Sequence, residues 1–395
     1  MVYLSLHWYV VKIDNVCISM KDEKIKTEIF RYEVTEGVSE YHAILRVTDP
    51  LLTYKEQVDF LLEAYSRIIQ TDLSGAVAVF KRFFLSDAAN QADYLLAMQP
   101  EGVDCALSIV EQPPLDGTKI ALWVYMQKGV QTRALPHGIY EVKHGAYRHL
   151  WMAGACNQAA NSEYQTRLLL NDYVLQLGEN GCRLADNCIR TWFFVQNVDV
   201  NYAGVVKARN EVFVTQNLTD KTHFIASTGI AGRHAHPKVS VLMDTYAVDG
   251  LQPEQIHYLY ARTHLNPTYE YGVSFERGTY IDYGDRRHVF ISGTASINNK
   301  GEVVHPGDIQ KQTLRMWENV EMLLKEADCD YSQVAHLLVY LRDMADYTVV
   351  KRMFEERFPD IPKVYLWAPV CRPGWLIEME CMAVKTMRNE DYPSF

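Results

Sequence analysis

The most constraining feature of this chain is a pair of glutamates inside its last apolar stretch, residues 376–384, which read LIEMECMAV. Alternation along a strand places Ile377 and Met379 on an apolar face and Glu378 and Glu380 on the opposite face. Burial in apolar surroundings raises the pKa of a carboxyl group, which can then act as a general acid near neutral pH. A structural ion pair is the alternative, because such pairs also bury carboxylates.

Composition restricts the class of protein. The chain has 395 residues, of which 48% are hydrophobic and 22% charged, so we expect two or three globular domains. The net charge of −10 argues against binding to nucleic acid or to an anionic membrane surface. Eight scattered cysteines without a CxxC pair predict reduced thiols and a cytoplasmic protein. Metal-ligand clusters and phosphate-binding glycine motifs are absent from the sequence, so we expect neither a metal nor a cofactor.

Hydrophobic periodicity divides the first two thirds of the chain into interleaved helices and strands, which predicts a mixed α/β domain. The predicted helices are residues 54–69, 90–98, 171–180, 183–194 and 199–217. The predicted strands are residues 76–84, 119–126, 224–227, 239–248 and 255–261. The turn-forming pair Asn266–Pro267 is the best candidate boundary, so we predict domains at 1–267 and 268–395.

The second domain has a clear β-β-α-β-α-β-β order. Its predicted elements are strands 278–283 and 288–294, helix 306–328, strand 334–341, helix 347–358, and strands 363–369 and 376–384. This order predicts a sheet with two helices packed on one face. Glu378 and Glu380 then point to the open face, and the fold class is α+β with two domains.

Several motifs of this second domain resemble the RidA (YjgF/UK114) superfamily. They are FISGTAS at 290–296, VYLRD at 339–343 and IEME at 377–380. The resemblance implies the same strand order, and in that superfamily it implies trimers with sites between subunits. The imine deaminases of the superfamily use an arginine on the penultimate strand. Lys363 stands at that position here, which argues against a plain imine deaminase.

A longer series of motifs resembles the chorismatases, two-domain enzymes with a RidA-like C-terminal half. The motifs are RTW at 190–192, STGI at 227–230, HLNPTYEYG at 264–272, YGDRRHVFISGTAS at 283–296 and CRPGWLIE at 371–378. The resemblance implies release of pyruvate from chorismate without a cofactor, with Glu378 as the general acid. An enol ether needs such an acid to protonate its terminal methylene.

The resemblance also implies which residues choose the product and hold the substrate. Gly284 and Cys371 match the subclass that forms 3-hydroxybenzoate, although Gly284 could simply serve a turn and Cys371 could be a small buried residue. The substrate has two carboxylates, which arginine forks suit. The candidate substrate-binding residues are Tyr202, Arg209, Arg233, Tyr271, Arg277, Asp346 and Lys351. Asp346 could instead cap the helix that follows it.

We therefore expect a chorismatase that makes 3-hydroxybenzoate and pyruvate. The alternatives are a chorismatase that makes a dihydroxy-cyclohexadiene carboxylate or 4-hydroxybenzoate, and a RidA-like deaminase or metabolite-binding protein. We expect a monomer, because a long N-terminal domain could occupy the place of a trimer partner against the open sheet face.

Overall fold

The chain folds into three six-stranded sheets. The computed structural model describes residues 14–21, 24–100 and 104–395. No helix in these ranges is both long enough and apolar enough to cross a membrane. All eight cysteines, each within these ranges, are free thiols.

The first sheet belongs to the N-terminal unit, residues 14–128. Its elements are β1 Asp14–Lys21, β2 Ile25–Glu33, β3 Ser39–Val47, α1 Tyr54–Gln70, β4 Val77–Leu85, α2 Ala88–Ala97, β5 Ala106–Glu111 and β6 Ile120–Lys128. A capping box starts α1: Thr53 accepts the N–H of Glu56, and the Glu56 carboxylate accepts the N–H of Thr53. Helix α2 connects the parallel strands β4 and β5, as a parallel pair requires.

The second sheet belongs to the middle unit, residues 131–249. Its elements are β7 Gln131–Ala134, β8 Ile139–His144, β9 Tyr147–Cys156, α3 Ser162–Glu179, α4 Leu184–Asn187, β10 Cys188–Val195, α5 Val198–Thr215, β11 Ala226–Ala231 and β12 Val241–Asp249. The predicted helix 183–194 is wrong over most of its length, because only its first part is helical. Every residue of β10 is buried, and a strand buried on both faces shows no alternation that would distinguish it from a buried helix.

The third sheet belongs to the C-terminal unit, residues 256–386. Its elements are β13 Ile256–Leu259, β14 Gly278–Asp282, β15 Arg286–Ala295, α6 Ile309–Glu326, β16 Val334–Leu341, α7 Tyr347–Arg357, β17 Lys363–Trp367 and β18 Ile377–Thr386. The predicted β-β-α-β-α-β-β order is confirmed. The sheet also takes β13 as an edge strand, which precedes the predicted boundary at residue 267.

The three units share one topology. The strand orders are β1-β2-β3-β6-β4-β5, β7-β8-β9-β12-β10-β11 and β13-β14-β15-β18-β16-β17. In each unit the long helix follows the third strand, and a second helix connects the fourth strand to a parallel fifth strand. The chain therefore repeats one RidA-like arrangement three times, which its sequence did not reveal.

The units close on one another in a cycle. Strand β5 packs against β9, β11 against β15, and β17 against β3, so that the fifth strand of each unit meets the third strand of the next. Backbone bridges join the ends of these strands, as between Glu111 and Arg233 and between Ile230 and Val370. The sheet faces opposite the long helices enclose a shared interior that contains Trp123, Trp192 and Phe290.

Candidate active site

A cavity of about 500 Å³ lies between the middle and C-terminal units. Helix α5 and strand β11 supply one wall. Strands β15 and β18, with the loop between β17 and β18, supply the other. The lining residues that carry polar or aromatic groups are Tyr202, Lys207, Arg209, Asn210, Ser227, Tyr271, Phe275, Arg277, Cys371, Arg372, Trp375 and Glu378. The cavity thus lies at a junction between two units, as the RidA resemblance implied.

Glu378 lies on the face of β18 that points away from the helices, and it is 4% exposed. Burial, and after it the nearby Glu380, raises the pKa of its carboxyl group to about 8, although Arg190 and Arg277 act in the opposite direction. The group therefore holds a proton at neutral pH while it faces a cavity. Gly293 on β15 leaves it room, because a Cβ at Gly293 would collide with the Glu378 carboxyl group.

The second glutamate of the strand does not line the cavity. Glu380 accepts hydrogen bonds from Arg190 at 2.6 Å and from Trp192 at 2.9 Å, and a further one from Thr228. The alternative explanation for the glutamate pair, a structural ion pair, is therefore correct for Glu380. Only Glu378 has its carboxyl group facing a space that a ligand could fill.

Arg209 is a buried cation of the cavity with unpaired hydrogen-bond donors. It is 1% exposed, and its Nε and Nη2 atoms find no hydrogen-bond partner among the described residues. Its guanidinium lies 5.9 Å from the ring centroids of both Phe193 and Phe275. Buried donors without acceptors are costly, so this arrangement indicates an anionic ligand that supplies the missing acceptors.

Three further cations line the same cavity. Arg277 donates to the backbone and side-chain oxygens of Asn266 at 3.0 and 3.1 Å. The guanidinium of Arg372 stacks on the Tyr271 ring at 4.6 Å. Lys207 is mostly exposed and pairs with Glu163 at 3.1 Å, so it stands at the mouth. Glu378 is the one acidic residue among the described lining residues, and the cavity is therefore strongly positive.

Neutral groups shape the space beside Glu378. Tyr202 fits against Gly229, where a Cβ would lie 2.7 Å from the Tyr202 ring. Burial raises the pKa of the Cys371 thiol to about 12, so that the thiol is uncharged. Trp375, on the loop before β18, is 5% exposed and lines the same cavity. These residues leave few groups that could orient a water molecule at the acid.

Comparison with known proteins places this site in a family. Residues 277–385 match the family model described as Endoribonuclease L-PSP. A RutC family protein of Pyrococcus abyssi is 34% identical over 100 residues, which make up 25% of this chain and 78% of that protein. The chain belongs to the RutC family. The matched residues include β18 and therefore Glu378.

A second relative extends the relationship of this RutC-family chain. The 3-hydroxybenzoate synthase of Streptomyces hygroscopicus is 33% identical over 120 residues, which are 27% of this chain and 35% of that synthase. A crystal structure of a chorismatase superposes with a TM-score of 0.63 at 18% identity, covering 79% of this chain and 95% of that one. The predicted chorismatase resemblance is thus confirmed for the fold.

The structure brings five of the predicted site residues together besides Glu378: Tyr202, Arg209, Tyr271, Arg277 and Cys371 line the cavity. Arg233 does not. It pairs with Glu111 at 3.0 Å, where the N-terminal and middle units meet, and its side chain is 45% exposed. The prediction for Arg233 is therefore wrong, because its charge is used in a contact between units.

Asp346 and Lys351 also lie outside the cavity. Asp346 stands at the N-cap position of α7, as the alternative expected, but its side chain makes no capping hydrogen bond. Lys351 lies 3.9 Å from Glu355 on the same helix. Helix α7 follows the fourth strand of its own unit, and α5 of the middle unit takes the corresponding place in the cavity. Lys351 thus lies on a helix that follows a fourth strand, but the helix of this kind that lines the cavity is α5 of the middle unit.

Gly284 occupies a turn at the far end of β14, outside the cavity. Its N–H donates to the carbonyl of Pro393 at 2.8 Å, and a Cβ would lie 2.5 Å from the carbonyl of Tyr392. Its φ is not positive, so the turn does not need glycine for the expected conformational reason. Glycine is needed here because the C-terminal residues approach the backbone closely.

Lys363 faces a different junction from the one that holds the cavity. Its Nζ donates to the carbonyl of Ile361 at 2.8 Å and lies 3.9 Å from Glu28 of the N-terminal unit. In the cavity, the fifth strand of the middle unit supplies Ser227 and Gly229 instead. The comparison with the deaminase arginine therefore has to be made on β11, where no arginine lines the cavity.

Sequence reasoning missed several cavity residues. Lys207 and Asn210 lie on the same helix as Tyr202 and Arg209, and the available signal was that Asn210 follows Lys207 by three residues, a spacing at which helical side chains are neighbours. Gly229 and Gly293 carry no side chain to signal a role. Their importance becomes visible only when Tyr202 and Glu378 are placed against them.

Proposed function

We propose that this protein is a chorismatase that converts chorismate to 3-hydroxybenzoate and pyruvate. One observation carries the proposal: a buried, protonated carboxyl group faces a cavity whose other charged residues are all cations. Chorismate is a dianion with an enolpyruvyl ether, so it needs both the cations and the proton. The RutC-family relationship and the likeness to a 3-hydroxybenzoate synthase support the same reading.

The cations would bind the two substrate carboxylates. Arg209 has two unused buried donors, and its planar fork suits a bidentate carboxylate contact. Arg277 and Arg372 have their guanidinium planes against aromatic rings, which orients them. Binding of a carboxylate by Arg209 would turn an unfavourable buried charge into a paired one, so we expect this contact to dominate affinity.

Glu378 would start the reaction by transferring its proton to the terminal methylene of the enolpyruvyl group. The product is an oxocarbenium ion at the ether carbon, and Glu378 is left as a carboxylate. Its raised pKa keeps the proton available at neutral pH, and its burial makes the resulting carboxylate a strong partner for the cation. The ring hydroxyl would then attack the ring carbon that bears the ether oxygen, which breaks that C–O bond, releases pyruvate and leaves an epoxide on the ring. The proton of the hydroxyl would return to Glu378 and restore the acid, and isomerisation of the epoxide to a phenol would give 3-hydroxybenzoate.

The choice of product depends on water. Formation of 3-hydroxybenzoate and pyruvate divides the atoms of chorismate without adding any, whereas formation of the diene diol consumes one water. The uncharged Cys371 thiol beside Glu378 is a weak hydrogen-bonding group. The enclosure of the acid by Trp375, Tyr202 and Cys371 supports the reaction that adds no water.

The experiment is to incubate the purified chain with chorismate in the presence of EDTA and to identify the products by mass and retention time. We expect pyruvate and 3-hydroxybenzoate in equal amounts. Diene diol or 4-hydroxybenzoate would keep the chorismatase assignment and reject the subclass. If folded protein releases no pyruvate above the uncatalysed background, the proposal is wrong. Ammonia released from an imine substrate would then favour the deaminase alternative.

A further inference from the structure

A cluster of buried charges lies directly behind the cavity, where the three units meet. Glu380 accepts hydrogen bonds at one carboxylate oxygen from Trp192 at 2.9 Å and from Tyr340 at 3.1 Å. Its other oxygen accepts from Arg190 at 2.6 Å and from Thr228. Four donors, one of them a guanidinium, thus converge on the Glu380 carboxylate.

The cluster continues into the N-terminal unit. Arg82 donates to the Asp244 carboxylate through Nε at 3.2 Å and through Nη2 at 2.8 Å, and its Nη1 lies 3.9 Å from Glu380. All four charged residues are buried: Arg82 from the N-terminal unit, Arg190 and Asp244 from the middle unit, and Glu380 from the C-terminal unit. Two cations and two anions leave the cluster balanced.

The fold does not require a carboxylate at the position of Glu380. On the last strand of the C-terminal unit, Glu380 lies opposite Leu338. At the corresponding point on the last strand of the middle unit, Asp244 lies opposite Trp192, and on that of the N-terminal unit Trp123 lies opposite Arg82. The middle unit therefore also has a carboxylate at this point, whereas the N-terminal unit has a tryptophan. A buried ion pair is a weak source of stability. The ion pairing of Glu380 is compatible with a further role, and its neighbour on the strand suggests one.

We propose that Glu380 is a positioning residue of the active site, whose fixed negative charge keeps the neighbouring Glu378 in its protonated form. The proposal rests on the proposed role of Glu378 as the acid. The two side chains share one face of β18, about 6–7 Å apart along the strand. Thr228 also connects them, because its hydroxyl oxygen accepts the N–H of Gly293 at 2.9 Å, and Gly293 is the residue that makes room for Glu378.

The charged and titratable groups around Glu378 set the sign of the effect. Glu380 faces it from β18, Arg190 from β10, and Arg277 from the segment before β14; Tyr202 and Cys371 face it as neutral groups. Removal of the Glu380 charge eliminates the one repulsive neighbour and leaves Arg190 without its counter-ion. Both changes favour the carboxylate form of Glu378. At this separation, a like charge should shift the midpoint by about one to two pH units.

The test is a direct titration of Glu378 by infrared difference spectroscopy, in which the carbonyl band of its protonated carboxyl group is assigned by its absence in Glu378→Gln. In Glu380→Gln we expect the titration midpoint to fall by about one unit or more. The same substitution at Glu28, another buried glutamate paired with an arginine (Arg46, 2.9 Å), is the matched control and should leave the midpoint unchanged. A midpoint in Glu380→Gln that stays at the wild-type value, or rises, overturns the proposal.

If Glu380→Gln does not fold, the double variant Glu380→Gln with Arg190→Gln removes both charges of the pair and leaves no unpaired ion inside. Its midpoint should still fall, by less than in the single variant, because Glu380 influences Glu378 more strongly than Arg190 does. An unchanged or raised midpoint in the double variant counts against the proposal equally. The titration needs no substrate, so a failure of the chorismatase assignment would not disturb this result.

Discussion

Two junctions of this molecule have the same architecture and different chemistry. Between the middle and C-terminal units, strands β11 and β15 border a cavity of about 500 Å³ that contains Glu378. Between the N-terminal and middle units, β5 and β9 border a cavity of about 220 Å³ that contains Leu242. Each cavity lies beside a glycine at a bulge in the third strand, Gly293 in one and Gly154 in the other. The backbone therefore offers the same cleft twice.

The side chains decide what each cleft can do. In the strand register, Leu242 lies opposite Cys156 and Phe194. Glu378 lies opposite Ala295 and Tyr340 at the corresponding point of the C-terminal unit. The cleft between the N-terminal and middle units therefore has a leucine at the position of Glu378. Leu107 and Ile109 similarly fill the places of Ser227 and Gly229. Helix α2 contributes Ala92 and Leu96, whereas α5 contributes Tyr202 and Arg209. The two clefts thus share a repeated backbone arrangement, and they differ in the few side chains that could take part in chemistry.

The third junction shows another outcome. Between the C-terminal and N-terminal units, Lys363 lies 3.9 Å from Glu28, whose carboxylate pairs with Arg46 of its own unit at 2.9 Å. Lys363 corresponds to Ser227 in the strand register, so a charged side chain lies where the cleft that contains Glu378 has a small one. At this junction the corresponding position therefore takes part in a contact between units. The following predictions, from the largest effect to the smallest, would break or sharpen the contrast among the junctions.

Replacement of the acid should have the largest effect. Glu378→Gln keeps the shape of the side chain but has no proton to transfer, so the rate of pyruvate release should fall by about 10²–10⁴. Leu242→Met changes the corresponding position of the other cleft and should leave the rate unchanged. Steady-state kinetics of both variants checks this. Turnover by Glu378→Gln within a factor of about ten of wild type would mean that the acid lies elsewhere.

Removal of the unpaired guanidinium should weaken binding and improve stability. Arg209→Met eliminates a charge-assisted contact worth about 1.5–3 kcal/mol, so KM should rise by about 10- to 100-fold. The Tm should stay equal or rise, because buried donors without partners disappear. Lys351→Met, on the corresponding helix α7, is the control and should change neither value. An equal rise in KM for both variants would contradict the placement of the site.

The pH dependence follows from the direction of the Glu378 shift. Its pKa is raised from an ordinary carboxyl value to about 8, so the active, protonated form persists through neutral pH and is lost above that value. The kcat/KM should therefore decline with rising pH through about 8, by about tenfold for each further unit. A profile measured on stable protein checks this. A decline that begins near pH 5 would show that Glu378 titrates as an ordinary carboxyl group.

Product choice should respond to Cys371 and not to Gly284. Cys371→Gln places an amide that can orient water beside Glu378, so part of the product should become the diene diol. Gly284→Ala should leave the product ratio unchanged and lower the Tm, because its Cβ would press on the backbone of Tyr392. Chromatography of the products and a thermal scan separate the two effects. Product change in Gly284→Ala alone would contradict the structure.

The smallest effect is expected on the oligomeric state when the protein is diluted. The three units of one chain already occupy all three junctions of the cycle, so we expect a monomer. Sedimentation velocity should give the mass of a single chain over a wide range of concentration. The variant Arg233→Ala, which removes an ion pair between two units, should remain a monomer with a slightly lower Tm. A stable trimer would mean that a further association surface exists.

Local patterns in the sequence predicted much of the C-terminal unit and part of the site. The elements from β14 to β18 were predicted within a few residues, because their apolar faces repeat with a clear period and turns separate them. Strand alternation indicated Glu378 and Glu380 together, and the family resemblance then singled out Glu378. Arg209 and Tyr202 came from motifs. Strand β10 was missed, because a strand buried on both faces carries no alternation.

What the sequence by itself determined was the local chemistry: a carboxyl group in an apolar strand, a family motif around it, and cations upstream. Only the tertiary structure decided which of these groups meet. Tyr202 and Glu378 are far apart in the chain, and they share a cavity because the fifth strand of one unit packs on the third strand of the next. Lys351 and Lys363 were assigned within their own unit, but the cycle turns each toward another junction. Packing between units is set by complementary surfaces that no local period encodes. For that reason neither the threefold repeat nor the cleft into which Glu378 points could be predicted from the sequence.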